Sequence, residues 1–123
     1  MKMMLDTQLY IPSRETPFRT PKVVADFISD LIKDKIVCDL GCGEGDNMVF
    51  MSQYAKEVIG FEYDKVRGSH AEEKGLNVIY GDYFKDDLPP AEVYYFWPDD
   101  GAKVNDFLIN KIHSKEGWSG TII

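Results

Sequence analysis

Residues 36 to 47 constrain this chain more than any other stretch: Ile36-Val37-Cys38-Asp39-Leu40-Gly41-Cys42-Gly43-Glu44-Gly45-Asp46-Asn47. An apolar run meets an acid, then glycines at alternate positions. The run predicts a buried strand. The glycines predict a loop that a ligand can approach at the main chain, because glycine has no Cβ and tolerates positive φ. A loop at the carboxyl end of a strand is where open α/β sheets bind ligands. The spacing narrows the ligand. The dinucleotide fingerprint is G-x-G-x-x-G, whereas here G-x-G-x-G is followed by Asp46. A Walker cradle needs Lys and Ser or Thr after its last glycine, and Asp46-Asn47 excludes it. An acid in the first helical turn also repels a phosphate placed at the positive end of the helix dipole. The loop suits a ligand with a neutral or cationic middle.

Around this loop the chain alternates helical and extended patterns. The first 19 residues, broken by Pro12, Ser13 and Pro17, read as an irregular arm. Thr20-Pro21 is a helix-start signal. Val23, Val24, Phe27, Ile28, Leu31 and Ile32 then recur at helical spacing, which predicts a helix to about Lys33. Strands are expected at Lys35–Leu40, Glu57–Glu62, Leu76–Tyr80 and Glu92–Trp97, and from Ser119 to Ile123. Helices are expected at Asp46–Lys56 (Met48, Met51, Tyr54 and Ala55 inward), at Lys65–Lys74, and at Asp100–His113 (Val104, Phe107, Leu108 and Ile112 inward). Gly68-Ser69 predicts a short or kinked third helix, since glycine costs about 1 kcal/mol against alanine. Gly75 is a natural helix stop. Strands alternating with helices imply a parallel sheet with right-handed crossovers.

The glycine segment resembles motif I of the class I S-adenosylmethionine (AdoMet) methyltransferases. Val58-Ile59-Gly60-Phe61-Glu62-Tyr63-Asp64 resembles that family's second strand, which ends in an acid. Asn77-Val78-Ile79-Tyr80-Gly81-Asp82-Tyr83 resembles its third. The likeness covers roughly residues 20 to 123 and thins after residue 98. It implies a Rossmann-like α/β domain over 20–123 behind an arm of 1–19. Its open, mostly parallel sheet of five strands in the order 3-2-1-4-5 has helices on both faces. The family usually continues with two more strands, so strand five is expected to be an open edge that could pair with another chain.

The resemblance implies AdoMet as cofactor, held by Asp39, Gly41, Cys42, Gly43, Glu44, Gly45, Glu62, Tyr63, Gly81, Asp82 and Tyr83. The residues themselves agree. Glu62 lies about 20 residues beyond the glycine turn, where a carboxylate grips a ribose diol; the alternative is a solvated strand-end acid. Asp82 could accept from an adenine amine while the Tyr83 N–H serves a ring nitrogen, or it could cap the next turn. Asp39 could bond loop amides; by resemblance it bears on the methionine amino group. Met48 and Met51 read as core filling.

The fold implies methyl transfer from a sulfonium by alignment with a nucleophile. The acceptor end is Tyr95-Phe96-Trp97-Pro98-Asp99-Asp100. Adenine-amine methyltransferases carry [DN]-P-P-[YF] there, and this chain departs from it. Trp97 and Asp99 are the candidate catalytic residues: Trp97 to wall or stack on an acceptor, Asp99 to take a proton or steer an amine. Both also have structural roles open to them, as a core aromatic and a helix N-cap. Tyr10-Ile11-Pro12, Thr20-Pro21 and the strand-four segment are similar to small protein-lysine methyltransferases with an arm over the cofactor, which implies that Tyr10 and Thr20 close over its methionine end.

Composition bounds the partners. The 123 residues carry a formal net charge of −7. A nucleic-acid binder usually shows a basic footprint, and Arg14, Arg19 and Lys22 make a thin one. A protein side chain or small molecule is therefore expected as acceptor ahead of DNA or RNA. There is no long apolar run for a membrane span or secretory signal, which points to the cytoplasm. Cys38 and Cys42 have the wrong spacing for redox or zinc chemistry, and His70 and His113 are isolated, so no metal is expected. Two other readings stay open: a non-catalytic AdoMet-binding module, and a nicotinamide oxidoreductase, which the glycine spacing opposes.

Overall fold

A computed structural model describes residues 22–96, 102–115, 118 and 120–123. The expected starts of the first and last helices, with Thr20, Trp97 and Asp99, lie outside the described residues. The elements run α1 (Lys22–Ile32), β1 (Ile36–Leu40), α2 (Asp46–Met51), β2 (Glu57–Glu62), α3 (Lys65–Glu73), β3 (Asn77–Tyr80), β4 (Val93–Phe96), α4 (Ala102–His113) and β5 (Thr121–Ile122). The five strands form one sheet in the order β3-β2-β1-β4-β5. Every pairing is parallel.

Alternation along the strands feeds two cores, because successive side chains point to opposite faces. Val37, Val58, Val78, Val93 and Tyr95 face Ile28 and Ile32 of α1, Met48 and Met51 of α2, and Ala71 of α3. Cys38, Leu40, Phe61, Tyr94 and Phe96 face Leu108 and Ile112 of α4, with Leu88 beside them. Both methionines are core residues. No described helix is long and apolar enough to cross a membrane.

Two local expectations are corrected, and the third helix is short rather than kinked. The second helix stops at Met51 instead of reaching Lys56. The Gln53 N–H turns to the Phe50 carbonyl, three residues back, and the Lys56 N–H donates to the Lys35 carbonyl to lead the chain into β2. Tyr54 is therefore exposed, edge-on to Phe50, rather than part of the buried stripe. On α4 the buried stripe is Asn105, Leu108 and Ile112, and Phe107 lies outside it, against Phe84. The third helix passes through Gly68 without a break. The Tyr80 ring occupies the space that a Cβ on Gly68 would need, so packing against β3 offsets the propensity cost of the glycine.

Candidate functional site

The site grows from the carboxyl ends of β1, β2 and β3. The loop after β1 is tied to β2, with the N–H groups of Gly41 and Cys42 donating to the Phe61 carbonyl at 2.7 and 3.4 Å. Gly41, Gly43 and Gly45 have φ of +80°, +58° and +90°, a region that side chains disfavour. Gly45 is the N-cap of α2. A Cβ there would strike Leu76 and Ala71, so this glycine serves helix packing rather than ligand approach.

Glu62 organises the loop. It is 7 % exposed. One carboxylate oxygen accepts from the Gly43 N–H at 2.7 Å and the other from the Asp64 N–H at 3.0 Å. Asp64 in turn caps α3 by accepting from the N–H groups of Val66 and Arg67. A carboxylate has about four lone-pair sites, so each Glu62 oxygen keeps capacity for a ligand hydroxyl.

A cleft of about 320 Å³ opens over these strand ends, and Gly41, Glu62, Tyr63, Gly81, Asp82 and Tyr83 all line it. Ligand pockets run from about 300 to 1,000 Å³. Phe61, Arg67 and Phe84 complete its lining and were not singled out in the sequence. Arg67 belongs to the first turn of α3, five residues past Glu62. Its guanidinium lies against Gly43, within 2.7 Å of where a Cβ would stand. The Asp64 cap before an arginine was the available signal. Tyr63 and Phe84 are 75 % and 52 % exposed, a large apolar surface at the cleft mouth.

Asp82 also builds its own turn. Its side chain accepts from the Phe84 N–H at 2.9 Å, and its N–H donates to the Asp86 carboxylate at 2.8 Å. The turn-capping role is realised in this geometry, with Asp82 still facing the cleft.

Four of the loop residues named from sequence, Cys42, Gly43, Glu44 and Gly45, do not line the cleft. Cys42 points into the core, where a Cβ on Gly60 would stand 2.6 Å from its sulfur. Glu44 is exposed, and its carbonyl accepts from Lys74 at 2.8 Å. Gly45 packs as described. Both thiols are free, and burial pushes each well above its ordinary pKa, with Asp39 adding to the effect. No group of three or more metal-binding side chains occurs among the described residues.

Asp39 sits apart from the cleft lining, on the α1–α3 face of β1, in register with Gly60 and Tyr95. It is 3 % exposed, and its Oδ2 has no hydrogen-bond partner. Burial, and next the Glu62 charge, raise its pKa to about 7. A buried carboxylate oxygen without a partner is costly and calls for a cationic or donor partner.

No family model matches the chain, and no curated protein matches it. Solved structures do. A dimethyladenosine transferase from Plasmodium falciparum is 27 % identical, with a TM-score of 0.64, over 80 % of this chain and 38 % of that one. An RNA methyltransferase from Salinibacter ruber, in complex with S-adenosyl-L-homocysteine, is 23 % identical, with a TM-score of 0.57, over 75 % and 69 %. The fold is that of the class I AdoMet-dependent methyltransferases. An amino pentose methyltransferase from Micromonospora echinaspora, bound to AdoMet, shares this class I fold at 20 % identity and a TM-score of 0.56, over 72 % of this chain and 41 % of that one. The chain thus spans well under half the length of two of these three methyltransferases.

Proposed function

We propose that this chain is an AdoMet-dependent methyltransferase domain, residues 20–123 behind an arm of 1–19, that transfers a methyl group to a small molecule or a protein side chain. One observation carries the reading. Asp39, buried with its Oδ2 unpartnered, stands two residues before Gly41, the first glycine of a positive-φ loop, and Glu62, which accepts from that loop, faces a cleft. That charge distribution favours a cationic nucleoside over a phosphate-bearing one.

The residues present fit AdoMet. Glu62 would take the ribose hydroxyls with its spare lone pairs, and Asp82 would meet the adenine edge. Tyr63 and Phe84 would cover the base, and Asp39 would compensate the methionine ammonium. The cofactor supplies an electrophilic methyl on a sulfonium. The chain contributes orientation: Glu62 fixes the loop through Gly43 and the α3 cap through Asp64, so that one side chain aligns two walls of the cleft. Trp97 and Asp99 follow β4 and are proposed to meet the acceptor, Trp97 by stacking and Asp99 by taking or steering a proton. The neighbours' names cover RNA and sugar acceptors and so do not choose among them. The net charge of −7 favours an acceptor other than nucleic acid.

Calorimetry with AdoMet, S-adenosylhomocysteine and NAD tests the cofactor. Heat with the first two and none with NAD is expected, and the reverse pattern rejects the proposal. Labelled-methyl transfer into a cell lysate then separates an enzyme from a non-catalytic binding module, which would bind AdoMet and label nothing.

A further inference from the structure

The cleft wall formed by residues 81–84 is held from outside the cleft. Residues 82–86 make a single self-bonded turn. The N–H groups of Lys85 and Asp86 donate to the Asp82 carbonyl at 2.9 and 2.8 Å, the Asp86 carboxylate accepts from the Asp82 N–H, and the Asp82 carboxylate accepts from the Phe84 N–H. Such a turn has little apolar burial of its own, since Phe84 is exposed. Its outward carbonyls meet α4. The Lys111 ammonium accepts nothing and donates to the carbonyls of Tyr83 and Asp86, at 2.6 Å each. One turn earlier on α4, Phe107 packs on Phe84 at 5.1 Å between ring centroids, with the Lys111 ammonium 5.8 Å from the Phe107 ring. Lys115, one turn later, reaches the Leu88 carbonyl at 3.3 Å.

We infer that Lys111 is a positioning residue for the nucleoside end of the cofactor, acting through the turn that carries Asp82 and Tyr83. The inference rests on the function proposed above. Lys111 does not line the cleft, so it contacts no ligand there. A charged donor shared by two carbonyls is among the stronger hydrogen-bond arrangements, and it ties the turn to α4 beside the Phe84–Phe107 contact. The methionine end lies beyond its reach, because that end is assigned to the β1 side.

Calorimetric titration of adenosine and of S-adenosylhomocysteine into the intact chain tests this. Wild type is compared with Lys111→Met, Lys111→Gln and Lys111→Arg. Lys103→Met, an exposed lysine on the same helix, controls for helix charge. Lys111→Met should weaken both probes by the same factor, about tenfold, the scale of one charge-assisted hydrogen bond. Lys111→Arg should restore most of the loss, and Lys103→Met should change neither probe. Hydrogen exchange at amides 82–88 should quicken in Lys111→Met with the strand amides unchanged. Lys111→Gln gives the same comparison if the methionine variant does not fold. Unchanged affinities in a folded neutral variant overturn the inference, as does a loss confined to S-adenosylhomocysteine or an equal loss in Lys103→Met. A wild type that binds neither probe overturns the proposed function instead.

Discussion

Asp39 ties the stability of this chain to pH. Its folded pKa, about 7, lies above the ordinary value of 3.8. Between those values the folded state holds a proton that the unfolded state has released, so stability falls as pH rises from about 4 to about 7. The loss is of the order of 2–4 kcal/mol for a group this buried. Asp39→Asn should flatten that slope and stabilise the ligand-free protein at pH 8 by about 1–3 kcal/mol, read by urea unfolding at a series of pH values. A native slope that survives the substitution would assign the effect elsewhere. Glu62→Gln should behave oppositely. It places an amide donor against the N–H of Gly43 or Asp64, and leaving either one unpaired costs about 1–3 kcal/mol. The family likeness placed Glu62, Tyr63, Gly81, Asp82 and Tyr83 at one site, and all five line one cleft at the strand ends. It put Cys42 there as well and left Arg67 out, since which way a side chain turns depends on neighbours distant in sequence, here Gly60 for Cys42 and Gly43 for Arg67.

At the scale of elements, the strands were legible because each is a short apolar run bounded by turn residues, and their order followed from the family likeness. Helix ends and faces were less so. The second helix ends early because its chain must reach the β2 register at Ile36↔Glu57, a tertiary demand that overrides local pattern. Phe107 fits a helical stripe on paper, yet the true stripe passes through Asn105, whose Oδ1 is buried without a partner. The third helix gives a direct test of which influence wins. By propensity alone Gly68→Ala gains about 1 kcal/mol. The added methyl, however, would stand 2.8 Å from the Tyr80 hydroxyl oxygen and closer to its ring, and Tyr80 is itself bonded to Glu72 at 2.7 Å. Overpacking costs about 1–3 kcal/mol, so the variant should be less stable than wild type. A denaturation midpoint that rises would mean that Tyr80 swings away freely. Gly60→Ala should cost as much or more, because its neighbours are two sulfurs inside the core at 2.6 and 2.7 Å.

The whole molecule joins these terms. The sheet order reverses direction between β1 and β4, and the glycine loop leaves β1 at that crossing point, where open α/β sheets take ligands. On the proposed function, cofactor binding and folding draw on the same carboxylates. A ligand at 100 times its dissociation constant adds about 2.7 kcal/mol of stability, which for a chain of this length is a melting shift of roughly 8–13 °C. The shift should depend on pH. A cationic methionine end requires Asp39 ionised, and below pH 7 the proton must first leave, so affinity weakens by up to about tenfold for each unit of acidification. AdoMet should thus bind about five- to tenfold more weakly at pH 6 than at pH 7.5, and Asp39→Asn should bind weakly at both. The apo protein and the complex then have opposite responses. The free chain loses stability as pH rises towards 7, and the bound chain regains it. Thermal unfolding with and without AdoMet at the two pH values measures both slopes at once. A ligand-induced shift of equal size at both would remove Asp39 from the binding site while leaving its effect on the free protein in place.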